Sequence, residues 1–137
     1  MSMANTGPPS PEPKAPARIL LVDDDPLITQ LITDMLSLDG HDVDTAPNGI
    51  AALNKVQRKR YDLILSDLHM PELDGLGLYR ELGRRQAHPQ HKIIILTGTT
   101  GTSESHRIMK ETGLPMLRKP FNLVELLSIV RKALDAP

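Results

Sequence analysis

The chain has no cysteine and no tryptophan, and its 137 residues include only two tyrosines and one phenylalanine. Without cysteine there is no disulfide, no thiolate nucleophile and no cysteine-ligated zinc. Few aromatics and a formal net charge of −1 argue against a nucleic-acid partner, which calls for a basic face and often for stacking rings. No apolar run approaches the roughly 20 residues that cross a bilayer, and none has the form of a signal peptide. The expectation is therefore no nucleic acid, no membrane and a cytoplasmic location. The basic stretches Lys55 to Arg60 and Arg80 to Arg85 fall on predicted helices and read as solvated faces.

Proline is unevenly spread. Pro8, Pro9, Pro11, Pro13 and Pro16 crowd the first 17 residues, which hold almost no large apolar side chain and cannot bury enough to order themselves. Residues 1–17 thus read as a disordered leader. Residues 18–137 are long enough for one core, within the roughly 100–150 residues usual for a domain.

From Arg18 onward, short aliphatic runs alternate with longer amphipathic stretches, the pattern of a parallel sheet wrapped by helices. Ile19 to Val22, Leu63 to Leu65 and Ile93 to Leu96 are unbroken, as expected for inner strands covered on both faces. His41 to Ala46 alternates and belongs at an edge, and Met116-Leu117-Arg118 is short enough for the other edge. The expected fold is α/β, a doubly wound five-stranded parallel sheet in the order 2-1-3-4-5 with helices on both faces. Leu27, Ile28, Leu31, Ile32, Met35 and Leu36 form one helical stripe after the Asp25-Pro26 cap. Leu123, Leu126, Leu127, Val130 and Leu134 form another, opened by Asn122 and Glu125 in capping-box spacing. Segment 103–111 offers only Ile108 and Met109, so its helix should be the most mobile.

The runs end on chemically capable residues: Asp23 and Asp24, Asp67, Thr97 and Lys119. Parallel strands place their carboxyl ends on one edge, where open α/β sheets bind ligands. Three carboxylates suit a hard divalent cation, while a hydroxyl and an ammonium suit phosphoryl oxygens.

The segments Ile19-Leu20-Leu21-Val22-Asp23-Asp24-Asp25, Ser66-Asp67-Leu68-His69-Met70-Pro71-Glu72-Leu73-Asp74-Gly75, Leu96-Thr97-Gly98 and Lys119-Pro120-Phe121 resemble the motifs of two-component response-regulator receiver domains. The resemblance runs in order from about Arg18 to Leu134 and implies the flavodoxin-like form of the predicted fold. It implies that Asp67 is the phosphoacceptor and Mg2+ the cofactor, with Mn2+ fitting the same oxygens. Asp24 would bind the metal directly, Asp23 largely through water, with Asp67 and the His69 backbone carbonyl as further ligands. Lys119 would pair with the acidic site, and the Thr97 hydroxyl would turn toward the phosphoryl group. His69 and Thr99, two residues past Asp67 and Thr97, would set the phosphate lifetime. Met116 occupies the switch position that usually carries an aromatic ring.

The resemblance also implies a cis Lys119-Pro120 bond. The implied donor is a sensor histidine kinase or histidine phosphotransfer protein, and the chain would catalyse its own phosphorylation and dephosphorylation rather than act as an enzyme on small molecules. Only Asp135-Ala136-Pro137 follow Leu134 in this sequence, which reads either as a stand-alone receiver or as one excised from a longer regulator or hybrid kinase. Output is expected through a protein partner on the fourth helix, fifth strand and fifth helix, or through a homodimer formed on phosphorylation.

The same residues bear on three other functions. A flavodoxin would need a phosphate cradle where Asp23-Asp24-Asp25 repels one. A small-molecule aspartyl-phosphate phosphatase would need a second aspartate at His69. A pseudoreceiver, acting as a phosphorylation-independent interaction module, is the remaining alternative. Asp25 reads as a cap and not a ligand, and Gly75 as the positive-φ residue of an Asp-Gly turn. His41, His88, His91 and His106 lack ligand spacing and are expected at the surface.

Overall fold

The computed structural model describes residues 16–85, 92–98 and 103–136. The strands are β1 (Arg18–Val22), β2 (Asp42–Ala46), β3 (Leu63–Asp67), β4 (Ile93–Thr97) and β5 (Met116–Arg118). Between and after them run α1 (Pro26–Leu38), α2 (Gly49–Arg58), α3 (Gly75–Arg85), α4 (Ser103–Thr112) and α5 (Leu123–Asp135). All strand pairs are parallel and the order is β2-β1-β3-β4-β5, as the alternation of the sequence predicts.

Successive side chains on a strand point to opposite faces, so the aliphatic runs feed two cores. Leu20, Val22, Ile64 and Ile95 pack with Leu53 and Val56 of α2, Leu78 and Leu82 of α3, and Ile108 of α4. Ile19, Leu21, Leu65, Ile94 and Leu96 pack with Ile32 and Leu36 of α1 and Leu126 and Val130 of α5. Burying a side chain of this size stabilises by about 1.5–3 kcal/mol.

Helix ends follow the predicted chemistry. Asp25 Oδ1 accepts the Leu27 N–H at 2.9 Å, and Pro26 occupies the first turn where no N–H partner is required. Asn122 and Glu125 close a reciprocal capping box at 2.8 and 3.2 Å. The α1 stripe is only half buried, however. Ile32 and Leu36 reach the core, whereas Leu27 is 81% and Leu31 48% exposed, because the stripe is wider than the groove the sheet offers.

His41 is a correction: it is buried, not at the surface. Its Nδ1 accepts the Ala17 N–H at 3.1 Å, which also makes Ala17 part of the folded domain and not of the leader. His41 Nε2 stands 3.5 Å from Asp39 Oδ2, without hydrogen-bond geometry. Arg131 of α5 grips Asp39 through both Nε, at 3.0 Å, and Nη2, tying α5 to the end of α1. Those hydrogen bonds hold the Asp39 carboxyl below its ordinary range, against the opposing pull of burial. A depressed carboxylate contributes stability above its unfolded pKa of about 3.9 and loses it as pH falls through the lower folded value. Arg131→Met is therefore expected to cost about 1–2 kcal/mol in urea unfolding at pH 7 and progressively less in strong acid. An acid-independent deficit would contradict this account.

Candidate functional site

The chain leaves β1 for β2 on one side, while β3 lies on the other, so the connections diverge and open a crevice at the carboxyl ends of β1 and β3. Asp23 and Asp24 follow β1, Asp67 ends β3, Thr97 ends β4 and Lys119 follows β5. Carboxylate oxygens of Asp23, Asp24 and Asp67 lie within 4.8 Å of one another. Asp23 is buried, with Oδ1 accepting the Asp25 N–H at 2.9 Å and Oδ2 accepting from Lys119 Nζ at 3.1 Å. The same ammonium stands 3.3 Å from Asp67 Oδ1. Asp24 is exposed, and Thr97 is buried at the sheet edge.

One ammonium shared by two carboxylates leaves the site acid-rich. Burial, then the charge of Asp23, pushes the Asp67 carboxyl above its ordinary range, outweighing Lys119 and the Leu68 N–H. Burial alone would lower Lys119, yet its hydrogen bond to Asp23 and the two carboxylate charges hold its ammonium above the ordinary range. The donor set fits a small hard cation: three carboxylates, with Asp24 facing solvent where metal-bound waters can remain. A cavity of about 470 Å3 between α1 and the β2–α2 loop borders Asp23 and Asp24.

Local backbone places these groups. Lys119 N–H donates to Thr97 O at 2.7 Å, registering the β5 end against β4, and the Lys119-Pro120 bond is cis, as the resemblance implies. Gly75 differs from expectation, since its φ is not positive. The left-handed residue of this loop is Glu72, at φ 68°. Glycine is required at 75 for space: a Cβ would sit 2.6 Å from the Asp67 carbonyl oxygen. Asp74 does start α3 as a turn residue, accepting the Gly77 N–H at 2.8 Å.

His69 is exposed, with Nε2 3.0 Å from Glu104 Oε1 at the start of α4. Met116 is half-buried against the core beside α4, next to Ile95 in register. Thr99, His88 and His91 lie outside the described residues, and His106 is exposed as expected. Sequence reasoning missed Ser66, fully buried, whose hydroxyl donates to Asp67 O at 3.0 Å. It also missed Glu104, which no local spacing connects to His69.

The family model of the response regulator receiver domain matches residues 19–131. The chain belongs to that family. Response regulator MprA of Mycobacterium leprae is 38% identical over 117 residues, covering 85% of this chain and 50% of that protein. The transcriptional regulatory protein GlrR of Escherichia coli K12 is 34% identical over 120 residues, 88% of this chain and 27% of that protein. The receiver thus spans half or less of these curated relatives. Chemotaxis protein CheY4 of Vibrio cholerae superposes with a TM-score of 0.79 at 33% identity, covering 87% of this chain and 99% of that one. The receiver domain of a sensor histidine kinase from Pseudomonas aeruginosa PAO1 superposes at 0.80 with 32% identity, covering 89% of this chain and 100% of that one. That structure holds a magnesium ion in its active-site cleft. The expected absence of a nucleic-acid partner finds no support here, one relative being a transcriptional regulator. Among the described residues no helix is long and apolar enough to cross a membrane.

Proposed function

We propose that this receiver, working in the cytoplasm, accepts a phosphoryl group on Asp67 from a phosphohistidine of a sensor histidine kinase or histidine phosphotransfer protein. What carries the reading is the Asp67 carboxylate at the strand edge, 3.3 Å from an ammonium and clustered with two more carboxylates. An Asp67 oxygen attacks phosphorus, the P–N bond breaks and its electron pair returns to the donor imidazole. The carboxylate needs no separate base. Lys119 neutralises oxygens of the transferring group, and the Thr97 hydroxyl turns toward them, so the protein's part is chiefly electrostatic positioning. Asp23, Asp24, Asp67 and the His69 backbone carbonyl would hold Mg2+. When bound, the cation neutralises phosphoryl charge that three clustered carboxylates would otherwise repel.

Intact-mass measurement after incubation with acetyl phosphate tests the reading. One phosphoryl adduct that needs both Mg2+ and Asp67 is expected. No adduct, together with no response to beryllofluoride, would instead make the domain a pseudoreceiver.

Phosphorylation adds about −1.5 to −2 charge at one strand end and biases a two-state arrangement that a partner reads. Met116 fills the switch position with a side chain that can repack without a ring flip. A downstream protein or a second copy would read the α4-β5-α5 face. Arg118 is exposed on β5, and Arg118→Glu is expected to weaken partner or dimer binding about tenfold without changing phosphorylation. Unchanged binding by calorimetry would remove this face from consideration.

A further inference from the structure

Ser66 interrupts an aliphatic strand. Leu63, Ile64 and Leu65 precede it in β3, and all four side chains are fully buried. A hydroxyl taken out of water costs stability unless it finds a partner, a cost that alanine at the same place would not carry. The partner is the backbone carbonyl of the next residue, Asp67, at 3.0 Å.

That carbonyl lies where the sheet stops supplying donors. The Leu68 N–H donates to Leu96 O of β4 at 2.9 Å, and the carbonyl of the same trans peptide, that of Asp67, points the opposite way, toward the β1 side. The β1–β3 ladder has already ended there, its last pair being Val22 with Ser66. The start of α3 closes over the spot, since a Cβ at Gly75 would stand 2.6 Å from Asp67 O and 3.3 Å from Ser66 Oγ. An enclosed carbonyl needs a donor from the protein, and Ser66 provides it.

The Asp67-Leu68 peptide is thus held from both ends, by the hydroxyl at its oxygen and by β4 at its N–H. The plane of that peptide sets the ψ angle of Asp67, on whose Cα the carboxylate is carried. The same N–H also faces the Asp67 carboxylate, and a hydrogen bond accepted by a carbonyl strengthens the donor at the other end of its peptide.

We propose that Ser66 is a positioning residue for phosphoryl uptake: its hydroxyl fixes the Asp67-Leu68 peptide and so aims the Asp67 carboxylate at the incoming phosphorus. This rests on Asp67 being the phosphoacceptor. With acetyl phosphate as donor, an Asp67 oxygen bonds to phosphorus, the P–O bond to the acetyl group breaks, and acetate leaves with the electron pair. A carboxylate turned slightly out of line still takes part in this step but reaches the attack geometry less often. The effect therefore falls on rate.

The test uses the full chain with acetyl phosphate and saturating Mg2+, uptake being followed by intact mass and the Leu68 amide by NMR of the unphosphorylated protein. Ser66→Ala is expected to slow uptake about 5-fold, the scale of one hydrogen bond, and to move the Leu68 amide proton upfield as its own bonds weaken. Ser66→Thr keeps the hydroxyl on a residue suited to strands, and it should return both readings toward native. Thermal melts establish that each variant is folded at the assay temperature. A hydroxyl that only satisfies the strand end would lower Tm and leave the rate of the folded protein unchanged. Native uptake in Ser66→Ala, an unmoved Leu68 amide, or Ser66→Thr as slow as Ser66→Ala would overturn the role of Ser66 and leave Asp67 as the acceptor. No adduct on the native chain would overturn the phosphoacceptor reading and this inference with it.

Discussion

Asp67→Asn is expected to abolish phosphoryl uptake and, at the same time, to stabilise the metal-free fold at pH 7. The first effect follows from chemistry, because the amide oxygen is a poor nucleophile and the product would lack an acyl phosphate. The second follows from the electrostatics. Burial and the neighbouring Asp23 raise the folded pKa of Asp67 above its unfolded value. Between those two values the folded state binds the extra proton, so stability falls as pH rises through the window and stays reduced above it. Asparagine removes that penalty while Lys119 keeps its 3.1 Å bond to Asp23. A gain of about 1 kcal/mol, some 3–5 °C in Tm, is expected for a domain of this size. Thermal melts followed by circular dichroism check it. The advantage should shrink as pH drops toward the unfolded carboxylate value near 4. A variant less stable than native at pH 7, or one whose advantage ignores pH, would show that the site carries no such cost.

The fold was legible because its signals are local and periodic. Unbroken aliphatic runs at β1, β3 and β4, an alternating run at β2, and caps at Asp25 and Asn122 each depend on a few neighbouring residues. The convergence of the candidate residues was legible for a related reason: a parallel sheet converts strand ends into spatial neighbours, so Asp23, Asp24, Asp67, Thr97 and Lys119 are brought to one edge by topology. What escaped is non-local. Nothing near His41 in sequence indicates that Ala17, 24 residues earlier, would donate to its ring. The need for glycine at 75 arises from the approach of α3 to the Asp67 carbonyl, and an Asp-Gly pair suggests a turn angle instead. Glu104 and His69 are 35 residues apart, joined only by the way α4 settles over the loop. The exposed Leu27 and Leu31 show the converse, a helical period that continues past the surface it can bury.

Lys119→Met should be the most destabilising change at the site, and its cost should depend on both pH and Mg2+. The Asp23 side chain is fully buried, and those of Asp67 and Lys119 are 15% and 23% exposed. Removing the ammonium leaves carboxylates within 4.8 Å of one another and no protein cation between them. Stripping one partner from a buried pair costs about 3–5 kcal/mol, and partial solvent access here reduces that to about 2 kcal/mol. The pairing raises the Lys119 pKa above its ordinary value. Its contribution is therefore fully present below the unfolded value near 10.4 and is lost only as pH rises through the higher folded one. At pH 7 all of it is exposed to the mutation. Lowering pH then helps the variant more than the native protein, since a carboxylate without its counter-charge takes up a proton sooner and the repulsion disappears. Saturating Mg2+ should recover much of the deficit by restoring positive charge among the same oxygens. Phosphoryl uptake should stay slow, by about 100-fold, even in the metal-loaded variant, because an oxygen contact on the transferring group is gone. Urea unfolding at pH 7 and 5, with and without Mg2+, separates these terms. A deficit that is the same in all four conditions would mean that Lys119 packs the site rather than balancing its charge. A deficit relieved by Mg2+, with uptake still slow, would give the ammonium two roles: holding the acidic cluster together before the metal arrives, and meeting the phosphoryl group afterwards.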